Sequence, residues 1–362
     1  MNFSKKIERY FKKRFQNLLK FLLKPDRINI ENFNPESVSK ILLVRQDSRL
    51  GNLVLMTPLL SALKRVFINA RIDVLVSEGF EDVLKHNPNI RRIITFRKKR
   101  SRIMPWLYLS LIYGLKKGKY NLAVDVSDGN HFSFNNVTLT SLCGAKYRLG
   151  FDRGDAKYFL NLVVEPPPGN MYMADAMLYL AKIFKSELED FPMEYHLSDN
   201  ERDFAETWLK SHNINEFDSF FTIHCGGKGR KRWGSEKFAS LINRLADEIG
   251  VKIVLIVGKT EEESLKRIQE NTKAEFEILR DVKVGEMAAV IERCSMFISG
   301  DTGPMHVSVA LNRPTVGLFT SSNFHVYGPR GKNSRIVLPE GESVEIDDVM
   351  IAVLDLIEMK ES

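Results

Sequence analysis

The segment Ser299-Gly300-Asp301-Thr302-Gly303-Pro304-Met305-His306 concentrates groups suited to holding an anion. It follows the apolar run Met296–Ile298 and precedes an apolar-periodic stretch ending near Leu311, so it reads as strand, turn and helix. Proline suits the first turn of a helix, because the N–H it lacks would have had no partner there. The N–H groups of Thr302, Gly303 and their neighbours then point out of the positive end of the helix dipole, where a phosphate is favoured. Asp301, Thr302 and His306 add hydrogen-bonding side chains to this turn. A plain capped turn would use the same residues, so the motif gains meaning only from its surroundings.

A second loop of similar chemistry follows the apolar strand Phe220–His224: Cys225-Gly226-Gly227-Lys228-Gly229-Arg230-Lys231-Arg232-Trp233. Gly226 and Gly227 offer backbone donors, and Lys231 offers a cation. The elements around these loops alternate. Ser235 opens a helix through Ile249, followed by a strand over Val251–Val257, a helix from Glu261 to Asn271 and a strand near Phe276–Leu279. A helix around Glu286–Arg293, the strand Met296–Ser299, the helix after Gly303 and the strand Thr315–Phe319 complete the series. Such alternation predicts a doubly wound parallel sheet, whose ligands bind off the carboxyl ends of the strands. Two phosphate-compatible loops on that edge point to a nucleotide diphosphate. In the run Glu261-Glu262-Glu263, Glu262 is a candidate for the nucleotide ribose, although acidic residues in a first turn also simply complement the helix dipole.

The N-terminal half has the same grammar. Lys40–Arg45 reads as a strand and Gln46–Asn52 as a turn; Thr57-Pro58 opens a helix with Leu59, Leu60, Leu63 and Val66 on its apolar face. Further strands are expected at Arg71–Val76 and Leu122–Val126, the latter ending beside Asp125 and Asp128. The fold class is therefore α/β: two doubly wound, Rossmann-like parallel-sheet domains with a cleft between them, a natural count for 362 residues. The expected boundaries are a basic segment 1–39, an acceptor-side domain 40–197, a nucleotide-binding domain 198–340 and a C-terminal segment 341–362. The final helix, about Ile346–Met359, is expected to cross back and brace the first domain. Pro166-Pro167-Pro168-Gly169 forms a rigid loop before a helix over Ala174–Phe184, and Trp233 is expected to shelve the helix that follows it.

These residues carry a resemblance. Arg45-Gln46-Asp47-Ser48-Arg49-Leu50-Gly51-Asn52 with Thr57-Pro58-Leu59 resembles the first loop of the bacterial lipopolysaccharide heptosyltransferases, glycosyltransferase family nine. Lys231-Arg232-Trp233 resembles that family's nucleotide-diphosphate loop. Asp301-Thr302-Gly303-Pro304-Met305-His306 with Tyr327-Gly328-Pro329 resembles its most specific signature. The resemblance implies a two-domain glycosyltransferase B fold and inverting, metal-independent transfer from an ADP-heptose to a lipid-anchored core saccharide of lipopolysaccharide. It implies a donor site of Gly226, Gly227, Lys231, Glu262, Asp301, Thr302, Gly303 and His306, and no cofactor besides the nucleotide sugar.

The chain departs from the family where a base is needed. Family members carry aspartate after the glycine of the first loop, but here Gly51 is followed by Asn52. An amide does not take a proton at neutral pH, and a positioned base is worth about 10²–10⁴-fold in rate. Asp47, five residues earlier in the same loop, is the expected replacement. Two alternatives stay open: a different nucleotide sugar, or a membrane-associated sugar-nucleotide or lipid-binding protein that has lost catalysis.

Charge adds a separate argument. Of 53 basic and 46 acidic residues, residues 1–27 hold nine and two, a net of +7 that leaves 44 of each in the rest of the chain. Phe3, Ile7, Phe11, Phe15, Leu18 and Leu22 recur on one helical face. A basic amphipathic helix with aromatic anchors reads as an interfacial membrane binder. Its lysines interrupt any signal-peptide core, and no stretch has the length of a transmembrane helix. The expected location is cytoplasmic, on the inner face of a bacterial inner membrane. Arg97-Lys98-Lys99-Arg100-Ser101-Arg102, ahead of Met104-Pro105-Trp106, is a second basic patch, for which Arg97, Lys98, Lys99 and Arg100 are acceptor-side candidates. Terminal charge without a recognition motif argues against nucleic acid.

Other features carry less. Gly258-Lys259-Thr260 is no P-loop, because Ile253 stands where its first glycine belongs. Cys143, Cys225 and Cys294 are odd in number and widely spaced, which predicts reduced thiols without disulfides or structural zinc. His86, His131, His196, His212 and His325 show no metal-ligand spacing, and His224 reads as a packed residue at a strand end. No Gly-x-Gly-x-x-Gly follows the first strand of either half, which removes the support for an NAD-linked oxidoreductase.

Overall fold

The computed structural model describes residues 14, 16–97, 104–127, 131–188, 191–227, 229–341 and 343–361. Twelve strands form two sheets. The first contains β1 (Lys40–Arg45), β2 (Arg71–Ser77), β3 (Ile90–Phe96), β4 (Leu122–Asp125), β5 (Tyr147–Phe151) and β6 (Leu162–Val164), in the order β3-β2-β1-β4-β5-β6. The second contains β7 (Phe220–His224), β8 (Lys252–Val257), β9 (Glu277–Arg280), β10 (Met296–Gly300), β11 (Thr315–Leu318) and β12 (Ser334–Val337), in the order β12-β11-β10-β7-β8-β9. Every pairing is parallel. Counted from its own first strand, each sheet has the same order, 3-2-1-4-5-6. That is the doubly wound arrangement, with its switch point between the first and fourth strands.

Parallel strands are covered by helices on both faces, so their sequences are continuous apolar runs rather than alternating ones. In the first unit Leu42, Val44, Leu75 and Ala123 pack with Leu115, Tyr120 and Leu139. In the second, Ile223, Leu255, Ile298 and Val316 pack with Phe238, Leu241 and Ile268. Trp233 is buried edge-on against Phe238, with ring centroids 5.0 Å apart, and donates its indole N–H to the carbonyl of Val344 at 2.8 Å. It shelves the following helix, Ser235–Arg244.

Four strands, β3, β5, β6 and β12, go beyond those expected. Three of them, β3, β6 and β12, are sheet edges: β6 is only three residues long, and β3 and β12 carry Arg91, Arg92 and Arg335 at positions that the sheet leaves open to solvent. Buried Asp73 holds β3 against β2 beside a shift in register: Arg91 donates to its two oxygens at 2.8 and 2.6 Å, and Tyr120 donates at 2.7 Å. Burial raises the Asp73 carboxyl pKa, but Arg91 and Tyr120 outweigh it and hold the group below its ordinary value.

The chain passes between the two units more than once. Residues up to Ser48, Met56–Glu81 and Pro88–Phe191 cluster as one; Arg49–Leu55, Asp82–Asn87 and Pro192–Ser362 as the other. One expectation needs correcting. Gln46–Asn52 is not all turn, because Leu50–Val54 forms a short helix that clusters with the second unit. In the final helix, Ile346–Glu361, Val349, Met350, Val353 and Leu356 share one face, and that face packs in the core of the second unit.

In the N-terminal segment, residues 1–13 and 15 lie outside the described residues, so most of the expected amphipathic face does too; residues 16–23 are helical. Leu19 and Leu23 pack against the cluster of Val137, Phe159 and Leu160, whereas Leu18 and Leu22 of the expected face are exposed, together with Phe21. No helix among the described residues is long and apolar enough to cross a membrane.

Candidate functional site: the carboxyl edge of the second sheet

At the switch point of the second sheet β7 and β10 lie side by side, Ser299 paired in register with His224. The chain leaves β7 into the Gly226-Gly227 loop and β10 into Asp301-Thr302, so both anion-compatible loops meet where the sheet opens. A cavity of about 400 Å³ occupies this edge. Lys231, Asp301, Thr302, Gly303 and His306 line it with His224, Gly227, Glu261 and Tyr327, and the turn Arg49–Asn52 contributes the rest of its wall. All of these residues belong to the second unit.

Thr302 is the N-cap of the helix Gly303–Ala310, in extended conformation, but its hydroxyl does not cap the helix. It is hydrogen-bonded instead to Nδ1 of His224 at 3.1 Å and to the hydroxyl of Ser299 at 2.9 Å. The first turn of the helix therefore faces the cavity without a threonine cap, and Pro304 removes one N–H that would need a partner. Beside it Lys231 is ion-paired with Asp301, and its ammonium lies 5.8 Å from the ring centroid of Tyr327. A cation, helix N–H groups and the dipole's positive end converge on one space, an arrangement suited to a diphosphate.

Two imidazoles complete the floor. His224 and His306 are buried, and burial pushes each pKa down to about 4; for His306, Asp301 opposes the shift and Lys231 adds to it. Both rings are neutral at pH 7, and Nδ1 of His306 has no hydrogen-bond partner among the described residues. Neutral rings can accept a hydrogen bond or a proton here without adding fixed charge.

Glycines make the space. A Cβ on Gly226 would lie 2.8 Å from Nε2 of His224 and nearer still to Cε1, so Gly226 is required for the ring rather than lining the cavity itself. A Cβ on Gly303 would meet Cβ of Leu50 at 2.9 Å, which fixes how closely the helix Leu50–Val54 approaches the helix Gly303–Ala310.

Sequence reasoning placed most of this group but missed some members. Glu262 is not at the cavity: it pairs with Arg280 on the exposed surface at 3.0 Å. Of this acidic run it is Glu261 that lies in the wall; it precedes the helix and accepts a hydrogen bond from Thr260 at 2.6 Å. Glu261 is the N-cap, with non-helical backbone, whereas Glu262 is the first residue of the helix, so the two side chains leave the chain in different directions. His224 is packed, as expected, but it also lines the cavity and orders Thr302.

Asn52 is in the wall. Asp47 is not among the lining residues; it belongs to the first unit and is ion-paired with buried Arg45 at 3.1 Å. Arg97 pairs with Glu78 at 3.0 Å, while Lys98, Lys99 and Arg100 lie outside the described residues. Among the described residues no group of three or more His, Cys, Asp or Glu side chains could hold a metal ion.

Two Rossmann-like parallel sheets, the second with a phosphate-compatible pocket at its switch point, are the architecture of the glycosyltransferase B fold. Residues 108–350 match glycosyltransferase family 9 (heptosyltransferase), and the chain belongs to this family. It is 25% identical to lipopolysaccharide heptosyltransferase 3 of Escherichia coli, over 82% of this chain and 88% of that protein. It is 22% identical to lipopolysaccharide heptosyltransferase 2 of E. coli K12, over 82% and 87%. Among solved structures, a family 9 glycosyltransferase from Veillonella parvula superposes with a TM-score of 0.78 at 20% identity, covering 88% of this chain and 97% of that one. E. coli ADP-heptose lps heptosyltransferase II superposes with a TM-score of 0.73 at 22% identity, covering 89% and 100%. The chain is thus a glycosyltransferase of heptosyltransferase type.

Proposed function

We propose that this enzyme transfers a heptose, with inversion and without a metal, from ADP-heptose to a lipid-linked core saccharide of lipopolysaccharide. The observation that carries the donor half is the convergence of Lys231 and the first turn of the helix Gly303–Ala310 on one cavity at the switch point. The acceptor hydroxyl oxygen attacks the anomeric carbon, and the bond from that carbon to the β-phosphate oxygen breaks. The electron pair leaves with ADP. Lys231 turns from Asp301 to the diphosphate, and the N–H groups of the first helical turn steady the charge that develops there. Gly227 borders the diphosphate, Thr302 is held in place by His224, and Glu261 takes the ribose in place of Glu262. The relatives' names support the choice of sugar and acceptor.

Asp47 is the proposed base: its carboxylate takes the hydroxyl proton as the new glycosidic bond forms, with Arg45 fixing its position. Asn52 stands where the family base belongs and is left to orient a hydroxyl. Arg97 to Arg100 meet the acceptor's phosphates. The chain works on the cytoplasmic side of an inner membrane, to which residues 1–27 hold it; exposed Leu18, Phe21 and Leu22 support that placement.

Calorimetric titration with ADP-heptose and with UDP-, GDP- and CMP-sugars tests the donor. Binding selective for the ADP-sugar and lost in Lys231→Ala, followed by heptosyl transfer to a core acceptor, is the expected result. Binding of a different nucleotide sugar would replace the donor. ADP-sugar binding with no turnover would favour a protein that has kept its site and lost catalysis at Asn52.

A further inference from the structure

The helix Pro105–Lys117 of the first unit is apolar on both sides. Tyr108, Leu111, Ile112 and Leu115 pack against the core of the first sheet. On the opposite face Trp106, Leu109 and Tyr113 are 59, 66 and 63% exposed. They lie at i, i+3 and i+7 and form one stripe. A surface helix ordinarily turns its polar face to water, and one that is apolar all round is normally covered on all sides.

Charge says what covers this one. Residues 97–120 contain eight Lys or Arg and no Asp or Glu. Lys116 and Lys117 are exposed at the end of the helix, and the ammonium of Lys117 lies 4.6 Å from the ring centroid of Tyr113. Lysine stems lie along apolar surface while their heads stay in water, and tryptophan and tyrosine favour the boundary between headgroups and acyl chains. A basic protein partner would be repelled by these lysines, and a second copy of this chain would bring its own.

We propose that Trp106, Leu109 and Tyr113 insert into the headgroup region of an anionic phospholipid bilayer, with Lys116 and Lys117 on its phosphates. This helix is a contact with the membrane separate from residues 1–27. It rests on the membrane-side reading above and not on the donor chemistry. The helix then sets which face of the first unit meets the lipid, because its inner side is part of the core.

The test uses the full chain and vesicles of phosphatidylglycerol and phosphatidylethanolamine, with phosphatidylcholine vesicles as the neutral control. Of the three tryptophans, Trp233 is buried and Trp208 is removed by Trp208→Phe, so the vesicle-induced change in emission reports Trp106. The expected result is a blue shift and quenching by brominated acyl chains on anionic vesicles, both lost in Trp106→Phe. A triple variant, W106A with L109A and Y113A, is expected to weaken partitioning at least tenfold while melting and ADP affinity stay unchanged. Unquenched Trp106 on bound protein, or unchanged partitioning of the triple variant, would overturn the proposal. So would a concentration-dependent dimer that the triple variant abolishes, which would make the stripe a self-association face. Loss of ADP-sugar binding with vesicle binding intact would count against the donor reading alone.

Discussion

Gly51 and His306 compete for one space. A Cβ built on Gly51 would lie 3.2 Å from Nε2 of His306 and closer still to Cδ2, so the imidazole fills the room that a side chain in the first loop would occupy. The glycine before Asn52 therefore lets the loop close over the signature helix of the second unit. Gly51→Ala must move the ring or the loop, and overpacking of this kind costs about 1–3 kcal/mol. The expected outcome is a lower melting temperature and weaker ADP binding, measured by thermal unfolding and calorimetry. Normal values for both would mean that the loop relaxes freely.

Lys231 carries the positive charge of the proposed diphosphate site. Hydrogen bonds to charged groups are worth about 1.5–3 kcal/mol, so Lys231→Ala should weaken ADP binding by roughly 10–150-fold. Adenosine, which lacks the diphosphate, should lose little. Calorimetry on the pair separates the two, and equal losses for both ligands would place Lys231 elsewhere.

The two buried histidines make stability depend on acid. Each has a folded pKa of about 4, below the ordinary 6.5, so the unfolded chain takes up protons that the folded chain refuses. Stability is full above about pH 6.5 and falls as the pH drops from there towards 4, by up to about 3 kcal/mol for each ring. Denaturant titrations at pH 7 and pH 4.5 should show the loss, and His224→Asn should flatten its share of the slope. A slope unaffected by His224→Asn would mean that this ring is solvated in the native state.

Base removal separates binding from chemistry. Asp47→Ala is expected to lower kcat by about 10²–10⁴-fold while ADP-heptose affinity is unchanged. Restoring the family residue with Asn52→Asp should raise the rate of that variant. An unchanged kcat in Asp47→Ala would exclude Asp47 as the base.

The thiols should be inert. Burial pushes Cys143 up to about 11 and Cys225 and Cys294 up to about 12, so the native protein presents almost no thiolate at pH 8. A chromogenic disulfide should react slowly with the native chain and label all three cysteines in denaturant. Fast labelling of one thiol in the native state would reveal local opening.

The sequence by itself determined the alternation of strands and helices, because strands covered on both faces must be continuous apolar runs. Leu42–Val44, Ile253–Val257 and Phe297–Ile298 are legible for that reason. It also marked the loops that carry Lys231, Asp301 and Thr302, since glycine and proline leave a backbone signature. It could not supply the edge strands β3 and β12, whose solvent-facing positions tolerate arginine and serine, nor the three-residue edge strand β6, which is too short to stand out as a run. Only the tertiary structure decided that Glu261 rather than Glu262 enters the wall, because the exact residue at which the helix begins separates cavity from surface. It alone brought Asn52 and His306 together across more than 250 residues of chain. It also gave the helix Pro105–Lys117 two apolar faces with core for only one of them, because burial is a property of neighbours and not of composition.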